Sequence, residues 1–248
     1  MKVKLGIGVI LVALGLLLAG CQSAEPNENR PSHETKADSG THESSNNHTH
    51  DNEDGHDHNH DHNHDHDEEA EAIYKGVFDD SQIQHRTLSD WEGDWQSVYP
   101  YLLDGTLDEV FAHKAEDTGK MTAAAYKEYY EVGYKTDTER IVIEGDTVTF
   151  IMNGQEQSVE YQADGYEILT YEAGNRGVRY IFKSVEDIEE LPRYIQFSDH
   201  RITPSKSDHF HLYWGDDREA LLQEVTNWPT YYPSAMDGHS IAHEMMAH

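Results

Sequence analysis

Between residues 140 and 183 the chain alternates apolar and polar residues in short runs, with turn dipeptides between them. This pattern restricts the fold more than any other. Residues 140–144, 147–152, 157–162, 166–172 and 178–183 read as five strands of period two. The breaks carry turn chemistry: Glu144-Gly145-Asp146, Asn153-Gly154, Asp164-Gly165 and Gly174-Asn175-Arg176-Gly177. Strands this close together must run antiparallel, because parallel crossovers need a dozen or more residues. Val148, Phe150 and Met152 should share one face, as should Val178, Tyr180 and Phe182. Two more strands are expected near residues 193–198 and 209–214. The expected architecture is a closed or nearly closed up-and-down antiparallel barrel with added helices, mainly β in the α+β class.

Helices are expected on both sides of the strands. Residues 88–134 read as helical, with Trp91, Trp95 and Tyr99 four apart on one face. Pro100 breaks or starts an element there. Thr106-Leu107-Asp108-Glu109 has the capping-box pattern and should open a helix over residues 107–115. Thr122 should cap another over 123–134. Asp216 or Asp217 can cap a short helix over 218–225, and residues 240–246 look helical.

The N-terminal third has a different composition. Lys2 and Lys4 precede an apolar run over residues 5–18, too short to span a bilayer comfortably. Leu18-Ala19-Gly20-Cys21 looks like a bacterial lipobox. Residues 1–20 are therefore expected to be a lipoprotein signal peptide. Cys21, the chain's single cysteine, would be its lipidation site, anchoring the protein to the extracytoplasmic face of the cell membrane. A lone cysteine also rules out a disulfide framework.

Residues 21–72 hold fifteen acidic residues against Arg30 and Lys36, and few aliphatics. Such a segment cannot offset its ordering entropy by burial, so a disordered His/Asp-rich tether is expected. Residues 73–248 then form the folded, metal-binding domain. Ten of the chain's 18 histidines lie in the tether. His56, His58, His60, His62, His64 and His66 alternate with Asp and Asn. Imidazole suits Zn(II), Cu(II) and Ni(II), and the flanking carboxylates concentrate cations, so weak, many-registered metal capture is expected. The formal net charge of −30 argues against nucleic acid as a partner.

In the folded part the informative stretch runs from Ser198 to His211. His209 and His211 project from the same strand face, about 7 Å apart along the chain. A turn around Pro204 and Ser205 can return His200 beside them. Three neutral imidazoles could then share one ion, with Asp199, Asp208 or backbone carbonyls orienting the rings. Taken alone, His-x-His can also be a surface pair. His239 and His243 can share a helix face, but they lack the His-Glu-x-x-His order of metalloproteases. His85 and His113 read as surface residues, and His248 could reach a neighbouring molecule's metal.

Several longer motifs resemble one family. They are Leu88-Ser89-Asp90-Trp91-Glu92-Gly93-Asp94-Trp95-Gln96-Ser97-Val98-Tyr99-Pro100-Tyr101, Asp108-Glu109-Val110-Phe111, Phe197-Ser198-Asp199-His200, His209-Phe210-His211, Asn227-Trp228-Pro229-Thr230-Tyr231-Tyr232-Pro233 and Met245-Met246-Ala247-His248. Over roughly residues 75–248 the chain resembles the ZinT (YodA) family of bacterial zinc- and cadmium-binding proteins. It is also similar to the domain fused to zinc-binding lipoproteins of Gram-positive ABC importers.

The resemblance implies a calycin-like, lipocalin-related barrel and a three-histidine metal site, which falls here on His200, His209 and His211. It leaves the fourth position variable and points to Zn(II), with Cd(II) as a further cargo. It also implies delivery to a zinc ABC importer or its solute-binding protein. Cys21 and the long tether depart from the family's soluble periplasmic members. Binding without catalysis is the expected role. The alternative is a zinc-dependent hydrolase or hydratase, since three histidines plus water is also a catalytic arrangement. No general base or oxyanion device is identifiable near the histidines. A lipid- or haem-binding lipocalin would leave the histidines without a role.

Overall fold

The computed structural model describes residues 64–171, 174–223 and 226–247. Residues 64–248 form one compact unit. Eight strands make up a closed antiparallel barrel in sequence order: β1 (Gly93–Ser97), β2 (Thr138–Glu144), β3 (Thr147–Met152), β4 (Gln155–Thr170), β5 (Arg176–Ser184), β6 (Tyr194–Ser198), β7 (Phe210–Gly215) and β8 (Thr230–Pro233). β8 closes on β1 with Trp95 opposite Pro233 and Ser97 opposite Tyr231. Closure pairs the first strand with the last and so removes the two outer edges that an open sheet would present.

The barrel interior is a packed aromatic core. Trp91, Trp95, Phe150, Tyr161, Tyr180, Phe182, Phe197 and Phe210 are all nearly inaccessible. Trp91 stacks on Phe197 at 4.7 Å, and Trp95 meets Phe210 edge-on at 4.9 Å. Val148 with Phe150, and Val178 with Tyr180 and Phe182, point inward as the alternation predicts, and Met152 packs against them. This lipocalin-like barrel is filled by its own side chains.

Among the described residues five helices accompany it: α1 (His64–Tyr74), α2 (Tyr99–Leu103), α3 (Asp108–Thr118), α4 (Ala123–Tyr134) and α5 (Gly238–Ala247). The last four enclose a second core with Leu102, Val110, Phe111, Tyr126, Tyr134 and Ile241. β8 serves both cores, since Tyr231 enters the barrel and Tyr232 the helical layer. Gly133 is required where α4 meets Trp228. A Cβ there would stand 2.4 Å from the indole. The Asn227 amide donates to the carbonyls of Gly133 and Lys135 and ends α4.

The structure corrects the sequence reading in several places. Trp91 and Trp95 do not share a helix. Trp91 closes a 3-10 turn over Leu88–Trp91, and Trp95 lies on β1. Gly93, with φ of +149°, turns the chain between them. A 3-10 turn followed by a strand can bury residues four apart as well as one helix face can. β1 and β8 were both unforeseen, being short and lacking clean alternation.

Thr106 caps nothing. Its amide and hydroxyl both donate to Asp104 Oδ1, and Leu107 precedes α3 without a side-chain cap. Thr122 does cap α4, accepting from the Ala125 amide. Asp164-Gly165 is a bulge inside the long β4, with a register shift between Ala163 and Tyr166, and makes no hairpin. Where a helix over 218–225 is expected there is a 3-10 turn over Ala220–Leu222, and Asp217 Oδ1 accepts from the Glu219 and Ala220 amides at its start. The predicted C-terminal helix corresponds to α5.

α1 begins inside the stretch expected to be disordered tether. Ala70 and Ala72 favour a helix, and Ile73 packs on the barrel core. Cys21, His56, His58, His60 and His62 lie outside the described residues. His64 and His66 fall on the first turns of α1.

Candidate metal centre

The turn between β6 and β7 carries two of the three candidate ligands, and its shape depends on a buried arginine. Arg86 donates through Nη1 to Asp199 Oδ1 at 2.6 Å, through Nε to Asp90 at 2.9 Å and through Nη2 to the Ser205 carbonyl at 2.8 Å. Its guanidinium lies 4.0 Å over the Trp91 ring. Burial works against the Arg86 charge, but the hydrogen bonds and charges of Asp199 and Asp90 outweigh it and hold its pKa above the ordinary value. Asp199 Oδ1 also accepts from the Arg201 amide, an Asx turn around the intervening residue. That residue is His200, whose φ of +61° lies in the left-handed region. At the other end, the Ser207 amide donates to the Asp90 carbonyl and its hydroxyl to the His209 carbonyl.

His209 and His211 flank Phe210, which fills the barrel. Their side chains therefore leave the barrel's outer face, on the side of the helical layer. One nitrogen from each of His200, His209 and His211 lies within 4.8 Å of the other two. Around tetrahedral zinc with bonds of about 2.0–2.1 Å, ligand nitrogens stand about 3.4 Å apart. Small ring rotations would close that difference, so the donor set fits a single ion.

Neighbours hold each ring. His209 stacks on Tyr232 at 5.1 Å with planes 11° apart, and Tyr74 at the end of α1 packs on His200 at 4.5 Å. His211 Nδ1 lies 2.7 Å from the Thr230 hydroxyl, which itself donates to the Trp228 carbonyl. A hydroxyl has one proton, so Thr230 accepts from His211 Nδ1–H. This tautomer leaves the Nε2 lone pair free for a metal. Burial, then the charges of His200, His209 and Arg179, holds the His211 pKa well below its usual range, and the ring stays neutral and able to ligate.

Comparison with known proteins gives this arrangement a family. Residues 69–248 match the family described as ZinT (YodA) periplasmic lipocalin-like zinc-recruitment. The chain belongs to the ZinT family. It is 63% identical to a probable metal-binding protein, YrpE, of Bacillus subtilis (strain 168), over 98% of this chain and 97% of that protein. It is 48% identical to the zinc-binding lipoprotein AdcA of Streptococcus pneumoniae, over 73% of this chain but 36% of AdcA, so it spans about a third of that relative.

Among solved structures, the Zn(II)-bound ZinT-like domain of Streptococcus pneumoniae AdcA superposes with a TM-score of 0.68 at 48% identity. That match covers 70% of this chain and 97% of the domain. Zn(II)-bound AdcA itself gives a TM-score of 0.69 at 49% identity, covering 71% of this chain and 38% of AdcA.

Within this ZinT fold the acidic residues flanking the histidines bond to arginines. Asp199 is bound by Arg86, and Asp208 pairs with Arg201. The supports that sequence reasoning missed are Arg86, Thr230, Tyr232 and Tyr74. Thr230 and Tyr232 lie in the quoted Asn227–Pro233 motif, but only the pairing of β7 with β8, His211 opposite Thr230, reveals a role. His85, His113, His239 and His243 are exposed. His239 lies 3.6 Å from Glu109. His248 lies outside the described residues.

Proposed function

We propose that this ZinT-family chain captures Zn(II) outside the cytoplasm, held to the membrane through Cys21, and supports uptake by a zinc ABC importer or its solute-binding protein. The observation that carries the reading is the convergence of three imidazole nitrogens within 4.8 Å at His200, His209 and His211. Relatives described as zinc-binding, including Zn(II)-bound AdcA, support zinc as the cargo. The same donors accept Cd(II), Ni(II) and Cu(II). A neutral His211 ring and an orienting hydroxyl suit reversible binding, and acid, which competes with the metal for the imidazole nitrogens, releases it. Binding is favoured over hydrolysis because the flanking carboxylates, Asp199 and Asp208, are engaged by arginines and hence poorly placed as a general base.

Calorimetry of the full chain tests the site. Replacing His200, His209 and His211 with Ala should abolish one tight Zn(II) equivalent. Deleting residues 42–63 should remove only weaker equivalents. A tight equivalent surviving the triple replacement would refute the assignment. For the physiological role, a deletion strain should grow poorly in chelated medium and recover with zinc. Growth without a zinc-dependent defect would exclude an uptake role.

A further inference from the structure

A second charged group shares the outer face of the barrel with the three histidines. Ser198 on β6 stands opposite His211 on β7, which stands opposite Thr230 on β8. On the other side, Tyr180 of β5 pairs with Phe197 of β6, so Arg179 is the next residue along and joins this row beside Ser198. Arg179 and His211 are thus two strands apart, about 10 Å between backbones. An arginine side chain and one small anion together span that distance.

Arg179 is 2% exposed. Its guanidinium lies 3.1 Å over the ring of Tyr213, two residues beyond His211 on the same strand face. Among the described residues its buried Nε and Nη1 have no hydrogen-bond partner. Its neighbour across the β4–β5 ladder, Glu167, is taken by Arg218 at 2.9 Å. Among the described residues no carboxylate pairs with Arg179, and a buried guanidinium with unused donors is costly. Binding a divalent cation by three neutral imidazoles nearby raises the local positive charge further.

We infer that Arg179 makes the metal centre an anion-binding site as well. One small halide or carboxylate anion accepts from its Nε and Nη1 and completes the coordination of the ion held by His200, His209 and His211. The anion neutralises part of the charge of both cations and satisfies the two orphaned donors. Metal and anion then bind with positive coupling, each tightening the other. This inference rests on the three-histidine reading above.

The test uses the full chain loaded with one equivalent of Co(II), whose visible absorption reports the fourth ligand. Acetate and chloride are titrated separately in a perchlorate buffer, with the triple histidine variant as the blank for tether-bound metal. The wild-type spectrum should shift saturably with either anion. Arg179→Met should keep one tight metal equivalent while binding the anion about ten- to hundred-fold more weakly, as expected for losing hydrogen bonds to a charged group. Arg179→Lys, which keeps the charge without the planar fork, should fall between.

An unresponsive wild-type spectrum, or an unchanged anion affinity in Arg179→Met, overturns the inference. If circular dichroism shows that Arg179→Met does not fold, Arg179→Lys decides it, and an unchanged affinity there overturns it. Wild-type protein that binds no tight metal would refute the histidine site instead, a separate outcome read from the metal stoichiometry.

Discussion

At the residue scale, a described neighbour packs on or bonds to each imidazole: Tyr74 on His200, Tyr232 on His209 and Thr230 at His211. Thr230 acts through a single proton. Thr230→Val keeps the shape but cannot accept from His211, which frees the ring to rotate or change tautomer. Zinc affinity at the tight site should fall about 10- to 100-fold with little loss of fold, measured by competition with a chelator. Acid sensitivity follows from His211 itself. Its folded pKa is lowered by burial and by the neighbouring rings, whereas an unfolded histidine titrates near about 6.5. Unfolding of the metal-free protein below that pH therefore takes up a proton, and stability falls as pH drops through about 6.5 toward the lowered folded value. His211→Gln should flatten this part of the stability profile in urea titrations. An unchanged slope would show that His211 is not held neutral by the fold. His-x-His was visible in the sequence. Thr230 was not, because its role depends on a hydrogen bond to a residue on another strand.

At the element scale, the turn from Asp199 to His209 is the part of the centre with least regular structure and most outside support. Arg86, from a segment preceding the barrel, links Asp199, Asp90 and the Ser205 carbonyl. Removing one partner of a buried ion pair leaves an uncompensated charge and costs about 3–5 kcal/mol. Arg86→Ala should therefore lower stability by that order and also weaken zinc binding, because the Asx turn holding His200 at positive φ loses its anchor. Thermal unfolding with a parallel zinc titration would separate the two losses, and unchanged zinc affinity would show that the turn holds its own shape. The strands that sequence revealed, β2 to β7, are those with alternation and turn dipeptides. β1 and β8 lacked both and appear only because they close the barrel. Asp164-Gly165 misled because the backbone freedom that permits a hairpin also permits a bulge.

At the scale of the whole molecule, the chain joins a packed ZinT barrel to an acidic, histidine-rich leading segment. If Cys21 is the anchor, Cys21→Ser should move the protein from the membrane fraction to the medium or soluble fraction while leaving the tight zinc equivalent intact. Retention in the membrane fraction would refute lipid anchoring there. The sequence by itself determined the antiparallel meander, the change of composition along the chain and the identity of the three candidate ligands. Those follow from alternation, turn chemistry and side-chain chemistry, which are local properties. Tertiary structure decided that the ligands face outward from a filled barrel, that His200 takes a left-handed turn, and that Thr230, Tyr232, Tyr74 and Arg86 support the site. It also brought Arg179 into the same row as His211. These relations join residues up to more than a hundred positions apart, and only strand pairing and the closure of one core against another bring them together.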